Sequence, residues 1–384
     1  MSKTRPLFTV VMPAYGVEKY LAKAVESIES QTFQEWELII VEDGSPDKTG
    51  SLAEKLKEKD ARIRVIHHEQ NKGLSEARNT GIQHATGRYI WFMDPDDTVD
   101  MDLLQQVADS LEKNRAKLVV FGHLEEYYNE DGSFAYAHEI RPEEKYFTDI
   151  EEIHNYMIRL EQETIYGYAW NKVYDLDYIK ENKFRYETVR LIEDIVFNIN
   201  YCNDIDSMNL LNIAPYHYAK RMTGSLTTKF VPDYYPLHRR RIEMLLNQQR
   251  YWRVDTPQHC AILGGLYGRY ILSALERNCD HQSGMNSKDR KQFCREVFRD
   301  PLFQQLLPKA EAKDSKALKI TLKCLNTHST FLCTALGRMV HIVRTGMPVC
   351  SENAFRVIPV LALNSLITFA ISISIHLALR FILL

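Results

Sequence analysis

Three carboxylate side chains lie within four consecutive positions, as Asp94, Asp96 and Asp97. So much negative charge in one place is unfavourable unless a cation compensates it. Carboxylate oxygens suit Mg²⁺ and Mn²⁺, and Mg²⁺ is often held by one or two carboxylates, water and the phosphates of a substrate. The cluster therefore indicates a metal and phosphate site. The plainer alternative is a solvated acidic turn that caps the following predicted helix, 101–113.

The residues in front of this cluster favour the metal site. Tyr89 to Met93 is an unbroken run of aromatic, β-branched and apolar residues bounded by Gly87 and Pro95, as expected for a buried strand. A central strand of an α/β sheet delivers the residues at its carboxyl end to the crevice where ligands bind. Because Asp-x-Asp alone is a weak motif, its position directly after a buried strand is what favours the metal site over the acidic turn.

Strands and helices alternate through the first part of the chain. The predicted order is strand 7–12, helix 17–30, strand 36–41, helix 48–59, strand 62–67, helix 74–84, strand 89–93, helix 101–113 and strand 117–121. This alternation is typical of an α/β fold with a largely parallel sheet. The loops after the first, second and fourth strands should therefore lie at one edge of the sheet, where ligands bind in such folds.

Two common nucleotide-binding motifs do not occur in the sequence. No Gly-x-Gly-x-x-Gly follows the first strand, which counts against an NAD-binding Rossmann domain. Gly44 to Gly50 has the wrong spacing for a Gly-x-x-x-x-Gly-Lys-Ser/Thr phosphate loop and lacks its lysine.

The alternation stops after the fifth strand. Residues 125–146 predict a hairpin or lid with a turn at 130–132, and a helix follows over 150–160. A further helix ends at about Cys202, and a returning strand covers 207–213. The sequence from about Asp233 to Arg344 is mostly helical, with polar breaks at 280–287 and 309–316.

The amino-acid composition limits the classes of protein to which the chain can belong. The chain has 384 residues, 45% hydrophobic and 26% charged, which is typical of a globular protein with one large domain or two of ordinary size. A formal net charge of −3 gives no reason to expect a nucleic-acid partner. The 7 cysteines include no Cys-x-x-Cys pair, so they indicate reduced thiols in a cytosolic protein. The N-terminus lacks the apolar run of a signal peptide.

The C-terminal segment, residues 357–384, differs from the rest. Its core from Ile358 to Leu379 is long enough to span a bilayer, for which about 20 apolar residues suffice. Arg338, Arg344 and Arg356 precede it and would hold that side at the cytoplasmic face of the membrane. We expect a membrane anchor, either spanning or half-inserted. A buried C-terminal helix is the alternative.

Five segments taken together resemble the inverting glycosyltransferases of family 2, which have the GT-A fold. Five motifs in the family's order are far more specific than any one of them. The similarity covers about 8–228 and predicts a GT-A domain over 1–228. It does not cover the helical region predicted over 229–350 or the membrane-anchor segment predicted over 357–384. The segments are Val11-Met12-Pro13-Ala14-Tyr15, Val41-Glu42-Asp43-Gly44-Ser45, Gly73-Leu74-Ser75-Glu76-Ala77-Arg78-Asn79-Thr80-Gly81, Phe92-Met93-Asp94-Pro95-Asp96-Asp97 and Ile192-Glu193-Asp194.

The resemblance implies a nucleotide-diphosphate sugar donor, most often a UDP-sugar. The motif after the first strand would line the base pocket, and Asp43 would accept a hydrogen bond from the base. Arg78 and Asn79 would hold the donor near its ribose and phosphates. Glu42 is a mild departure, because many relatives have Asp there. The implied donor-binding residues are Pro13, Ala14, Tyr15, Glu18, Asp43, Arg78, Asn79, Asp94 and Arg221.

The resemblance also implies a metal site. Asp96, with Asp94, would ligate Mg²⁺ or Mn²⁺ beside the diphosphate. His217 is a further candidate ligand, although a histidine between two tyrosines is more often simply packed. Residues 221–225 resemble a segment that closes over the diphosphate in family members.

The catalytic base implied by the resemblance is Asp194, with Glu193 and Trp170 on the acceptor side. Adjacent residues at the start of a helix point about 100° apart, so we expect only one of the two acids to face the acceptor. The other would orient the acceptor or cap the helix, where acidic groups are favoured.

The sequence therefore predicts a membrane-associated, metal-dependent inverting glycosyltransferase that adds a sugar to a surface-glycan precursor. That acceptor would be a glycan or lipid-linked molecule, such as a lipid-linked oligosaccharide, capsule or lipopolysaccharide unit. A nucleotidyltransferase acting on sugar phosphates would need a Gly- and Arg-rich loop after the first strand, which 13–16 is not. A non-catalytic nucleotide- or glycan-binding module is the third hypothesis. A decayed enzyme need not keep Asp94, Asp96 and Asp194, which counts against it.

Overall fold

The computed structural model describes residues 5–129, 131–221, 230–312 and 315–346. These form two compact units, one of 5–221 with 243–255 and the other of 230–242 with 256–346. The predicted domain boundary near Thr228 and the predicted membrane-anchor segment 357–384 lie outside the described residues. Within the described ranges, no helix has both the length and the apolar character that crossing a membrane requires.

The first unit alternates strands and helices as the sequence predicts, and then adds strands that it does not predict. Its elements are β1 (Phe8–Ala14), α1 (Leu21–Glu29), β2 (Trp36–Glu42), α2 (Thr49–Lys59), β3 (Ile63–His67), α3 (Leu74–His84), β4 (Tyr89–Phe92), β5 (Thr98–Val99), α4 (Leu103–Lys113), β6 (Leu118–Tyr128), β7 (Phe134–Ile140), β8 (Lys145–Phe147), α5 (Ile150–Gln162), β9 (Lys172–Asp175), α6 (Leu176–Asn182), α7 (Glu193–Cys202) and β10 (Met208–Lys220).

One mixed sheet runs through this unit in the order β3-β2-β1-β4-β9-β6-β10-β5, with β7 on β6 and β8 on β10. β3, β2, β1 and β4 are parallel neighbours, as are β6 and β10, and β9 lies antiparallel between the two groups. The predicted α/β, GT-A type of fold is confirmed. The prediction missed β9 and α6, because a strand of four residues carries too little pattern to be recognised.

The pairing register brings the predicted ligand loops together. Ala14 at the end of β1 pairs with Glu42 at the end of β2, and Val11 pairs with Phe92 at the end of β4. Every residue of β1 and β2 is buried, as expected of parallel strands covered on both faces. The loops after these three strands therefore lie at the same edge of the sheet, as predicted.

β6 and β10 extend well beyond the predicted strands 117–121 and 207–213. They pair with each other along most of their length, with a register shift between Leu211 and Tyr216. β6 also forms the predicted hairpin, with β7. The extension depends on pairing between distant segments, so the local pattern of charged and aromatic residues did not show it.

The second unit is helical, as predicted. Gly264 and Gly265 allow its long helix α9 to approach the chain at 306–311, because a Cβ atom there would lie 2.5 Å from the Leu306 oxygen or 2.3 Å from the Glu311 oxygen. The predicted polar breaks fall between its helices, which are α8 (Tyr234–Tyr251, divided between the two units), α9 (Pro257–Arg277), α10 (Ser287–Arg299), α11 (Pro301–Leu306), α12 (Lys316–Asn326) and α13 (Thr330–Gly346).

Candidate active site

Arg78 on α3 is the buried centre of the site, with only 2% of its side chain exposed. Its Nη1 donates a hydrogen bond to Asp194 and lies 3.9 Å from a Glu193 oxygen, and its Nη2 lies 3.4 Å from Asp94 Oδ1. Burial opposes the charge of Arg78, but these carboxylates, Asp194 foremost, raise its pKa above the ordinary value. We call these four residues the Arg78 cluster.

The loop after β2 fixes the start of α3 and so the place of Arg78. Asp43 Oδ1 accepts a hydrogen bond from the backbone N–H of Lys72, at 2.9 Å, and Oδ2 accepts one from Gly73, at 2.8 Å. Gly73, with φ of 89°, precedes the helix. The packing of α3 on β1 requires Gly81, because a Cβ atom there would lie 2.3 Å from Val11 Cγ1.

Asp43 and Asn79, both predicted to bind the donor, also have structural partners. Asp43 is 2.6 Å from His68 Nδ1 in addition to its two backbone donors, and only 4% of its side chain is exposed. The Asn79 amide pairs with the backbone N–H and oxygen of Tyr186, at 2.7 and 3.0 Å. Their donor-binding roles stay predictions. The hydrogen bonds of Asp43 and Asn79 hold α3 against its neighbours.

Tyr15 is the exposed aromatic ring at the end of β1. Pro13 and Ala14 are buried, whereas half of Tyr15 is exposed, so its ring is free to pack on a planar ligand. Glu18 accepts a hydrogen bond from the backbone N–H of Lys48 at 2.9 Å and so joins the loop after β1 to the start of α2.

The acids after β4 have different surroundings. Asp94 lies deep in the site yet keeps 28% of its side chain exposed, and burial raises its pKa to about 6 against the opposing effect of Arg78. The Asp96 side chain is 45% exposed, with one oxygen 3.3 Å from Arg221 Nη1. Asp97 is buried, and burial together with Asp96 and Asp94 raises its pKa well above the usual value. Asp94 and Asp96 are therefore the accessible pair.

Two accessible carboxylates fit a site for Mg²⁺ or Mn²⁺ that water and a diphosphate complete. In the described part of the chain, no three His, Cys, Asp or Glu side chains converge as a metal site by themselves. The sequence suggested His217 as a further metal ligand. In this structure its Nδ1 lies 2.8 Å from Glu126 and its Nε2 lies 3.0 Å from Asp100. Both ring nitrogens face carboxylates in this structure, and the role of His217 as a metal ligand stays a prediction.

The two acids at the start of α7 both approach Arg78. Asp194 Oδ1 accepts a hydrogen bond from Arg78, Oδ2 accepts one from the backbone N–H of Ala169 at 3.0 Å, and 17% of the side chain is exposed. Burial and the adjacent Asp194 raise the pKa of Glu193 above its ordinary value. Both carboxylates approach the Arg78 guanidinium at the first turn of the helix, and the expectation that only one of them faces the acceptor stays a prediction.

Trp170 is packed in a stack of aromatic rings, and its contact with the acceptor stays a prediction. It is only 3% exposed and stacks between Tyr168 and Tyr216, with ring centroids 4.5 and 4.4 Å away. Tyr168 is half-buried and forms the outer ring of this stack. The sequence shows that aromatic residues alternate along 166–170, but only the position of this segment in the sheet decides which ring faces outward.

Lys172 is a functional candidate that the sequence did not reveal. It is fully buried, and its Nζ donates hydrogen bonds to the backbone oxygens of Ile165 and Tyr168 and to Asn171 Oδ1. These bonds shape the loop that presents the Ala169 N–H to Asp194. A lysine at the start of a short strand gave no signal of this role.

Solved structures show the class of fold to which this arrangement belongs. Staphylococcus aureus TarS 1–349 in complex with UDP-GlcNAc superposes with a TM-score of 0.59 at 19% identity, covering 88% of this chain and 92% of that one. The same fragment in complex with UDP gives 0.60 at 17% identity. The fold is therefore of the GT-A type.

Residues 9–172 match the model of the family described as glycosyl transferase family 2, so the first unit carries a family 2 glycosyltransferase domain. The uncharacterized glycosyltransferase EpsJ of Bacillus subtilis is 32% identical over 223 residues, which are 58% of this chain and 63% of EpsJ. Glycosyltransferase GlyA of Streptococcus pneumoniae is 31% identical over 222 residues, 57% of this chain and 31% of GlyA. The chain thus covers less than two thirds of each relative.

Proposed function

We propose that the chain transfers a sugar, with inversion, from a UDP-sugar to a hydroxyl group of a surface-glycan precursor, with Mg²⁺ or Mn²⁺ at Asp94 and Asp96. The observation that carries this proposal is the Arg78 cluster, which joins an acid on the donor side to an acid at the start of α7. Asp94 would hold the metal beside the diphosphate of the donor, and Asp194 would accept the proton of the acceptor hydroxyl. UDP is supported by the TarS complexes with UDP and UDP-GlcNAc.

Asp194 is the group that would take the proton from the acceptor. Single displacement with inversion requires a carboxylate on the face opposite the departing diphosphate. Each Asp194 oxygen accepts one hydrogen bond, from Arg78 or from Ala169, and keeps a second lone pair for the acceptor hydroxyl.

Three groups support the donor side of this reaction. Tyr15 would pack on the base beside Pro13 and Ala14. When bound at Asp94 and Asp96, a divalent cation would compensate the charge that develops on the departing diphosphate. Arg221 Nη2, which donates to the Asp96 backbone oxygen at 2.9 Å, stands beside these carboxylates and would contact the same phosphates.

The class of acceptor is inferred from the names of relatives and from the C-terminal sequence. Minor teichoic acid biosynthesis protein GgaB of B. subtilis is 41% identical over 113 residues, and the putative teichuronic acid biosynthesis glycosyltransferase TuaG is 37% identical over 106. Both names support a cell-surface polymer as the product. The segment 357–384 would keep the enzyme at the cytoplasmic face of the cell membrane, where such precursors are built.

A donor screen tests the proposal. Purified full-length protein is incubated with Mn²⁺ and each of a panel of nucleotide sugars, with and without membrane lipid extract as acceptor, and nucleotide release is measured. We expect UDP release from one UDP-sugar that rises with acceptor. Release of pyrophosphate from a nucleoside triphosphate and a sugar 1-phosphate, without UDP release from any sugar nucleotide, would instead identify a nucleotidyltransferase.

A further inference from the structure

The helical unit carries a row of aromatic rings and arginines that the proposed transfer does not use. The row lies on α8 and α9, and we call it the basic row. In spatial order its members are Arg277, Tyr234, His238, Tyr270 and the pair Arg241 and Arg269.

The rings of the basic row are in direct contact. Tyr234 and His238 have ring centroids 4.2 Å apart, and His238 stacks on Tyr270 at 4.2 Å with the two planes 13° apart. The Arg277 guanidinium carbon lies 4.5 Å from the Tyr234 ring. At the other end, Arg241 and Arg269 lie 5.6 and 5.9 Å from the Tyr270 ring. The row is therefore a strip of rings with cations at both ends.

The positive charge at the two ends is not fully balanced. Over the ranges that the structure covers, neither Arg269 nor Arg277 has a carboxylate within ion-pair distance. Other arginines of this unit are paired: Arg239 lies 2.5 Å from Asp300, and Arg344 lies 3.0 Å from Glu276. Burial lowers the pKa of the His238 ring to about 3, and the surrounding arginines Arg241, Arg277 and Arg269 add to this effect.

Three buried nitrogen atoms in or next to the row lack a hydrogen-bond partner among the described residues. They are His238 Nδ1, Arg277 Nε and Asn278 Nδ2. His238 as a whole is only 8% exposed. Buried polar atoms are nearly always paired, and a donor left without a protein partner indicates a bound water, ion or ligand. Arg277 Nε and Asn278 Nδ2 are both donors, so an anion suits them.

We propose that the basic row binds a phosphodiester chain, with Arg277 at one end and Arg269 at the other contacting successive phosphates. Guanidinium groups hold phosphate oxygens in pairs, and the edges of the stacked rings between them would lie along the groups that link the phosphates. The row is recessed, because of its members only Arg269 is exposed. A chain can lie along such a strip, whereas a flat bilayer surface meets protruding side chains, so we favour a chain over a membrane.

The test measures binding alone. Fluorescence anisotropy of a labelled synthetic glycerol-phosphate hexamer is followed with full-length protein, without sugar nucleotide or metal, at two salt concentrations. The double variant Arg269→Gln/Arg277→Gln removes both end charges, and no hydrogen bond within the described residues depends on either side chain. Arg295→Gln is the matched control, because Arg295 is an exposed arginine of the same unit that bonds Gln292 and lies outside the row.

We expect the double variant to bind the hexamer about 10- to 100-fold more weakly, because each arginine gives a charge-assisted hydrogen bond. The slope of log K against log salt should fall by about 1 to 2. The control should stay within about twofold of the wild type, and all proteins should melt together. Wild-type binding by the double variant, an equal loss in the control, or binding to phosphatidylglycerol vesicles but not to the hexamer would overturn the proposal. Because no donor is present, none of these outcomes bears on the proposed transfer.

Discussion

Asp94 and Asp97 both lie in the loop after β4, and the protein stabilises these two acids in different ways. In the Arg78 cluster, three carboxylates share one buried guanidinium. At Asp97, a single buried carboxylate accepts hydrogen bonds from two neutral donors, the Tyr216 hydroxyl at 2.8 Å and the Ala219 N–H at 2.9 Å. The first site remains partly open to solvent, and the second is closed.

This difference separates a chemical role from a structural one. Burial raises the pKa of both acids, but at Asp94 the neighbouring Arg78 opposes the rise and holds the pKa to about 6, whereas at Asp97 burial and the adjacent acids raise it well above the usual value. Asp94 and Asp194 keep exposed surface for a metal or a substrate, and Asp97 does not. Four sets of experiments test this distinction between the two sites.

Replacement of Arg78 should have the largest effect. Arg78→Met removes the only cation of the Arg78 cluster and leaves its acids buried together, which typically costs about 3–5 kcal/mol of unfolding free energy. Transfer should fall by more than about 10³-fold, because Asp194 loses its orientation as well as its counter-charge. Urea unfolding and single-turnover transfer measure the two effects. Arg78→Lys should recover part of the stability, and a Met variant as stable and active as the wild type would refute the central role of Arg78.

Substitution of the two acids on α7 should show which of them is the catalytic base. Asp194→Asn retains an acceptor for the Ala169 N–H but cannot take a proton, so kcat should fall by about 10² to 10⁴ with donor affinity nearly unchanged. Glu193→Gln should lose less, mainly through KM for the acceptor or through stability. Calorimetry of donor binding and single-turnover transfer distinguish the two. Transfer at the wild-type rate by Asp194→Asn would show that the base lies elsewhere.

Metal-supported UDP binding should depend on Asp96 and on pH. EDTA should abolish turnover and Mn²⁺ should restore it, and Asp96→Ala should weaken UDP binding in Mn²⁺ as well as the rate. Because the pKa of Asp94 is raised to about 6, protons should compete with the cation as pH falls through that value. Calorimetric titration of UDP with Mn²⁺ between about pH 5 and 8 measures this loss. Full activity of Asp96→Ala in chelator would contradict the metal site.

Asp97→Asn should have the smallest effect. A raised pKa means that the native state holds a proton that the unfolded chain releases above about pH 4, so stability falls as pH rises through that window. Asparagine removes this dependence and can still bond Tyr216 and Ala219. We expect unfolding free energy at neutral pH to be unchanged or higher by about 1 kcal/mol, with transfer rates close to wild type. A loss of transfer as large as that of Asp194→Asn would erase the distinction between the two sites.

The sequence determined the α/β layout, the edge of the sheet at which the loops meet and the helical character of the second unit. It could do so because apolar periodicity and strand-to-helix alternation are local features of the chain. The acidic run after β4 was also visible locally, and Asp194 was implied by the resemblance to the family. The proposed metal and base assignments therefore come from the sequence, and the structure adds their surroundings.

Tertiary structure alone decided which side chains meet. Arg78, Asp94 and Asp194 are far apart in the chain, and only the packing of α3 and α7 at the sheet edge brings them to one guanidinium. The same holds for Trp170 and His217, whose surroundings are set by neighbouring strands. A local pattern gives the period and polarity of a segment but not its partners. Charge compensation and burial, which separate Asp94 from Asp97, depend on those partners.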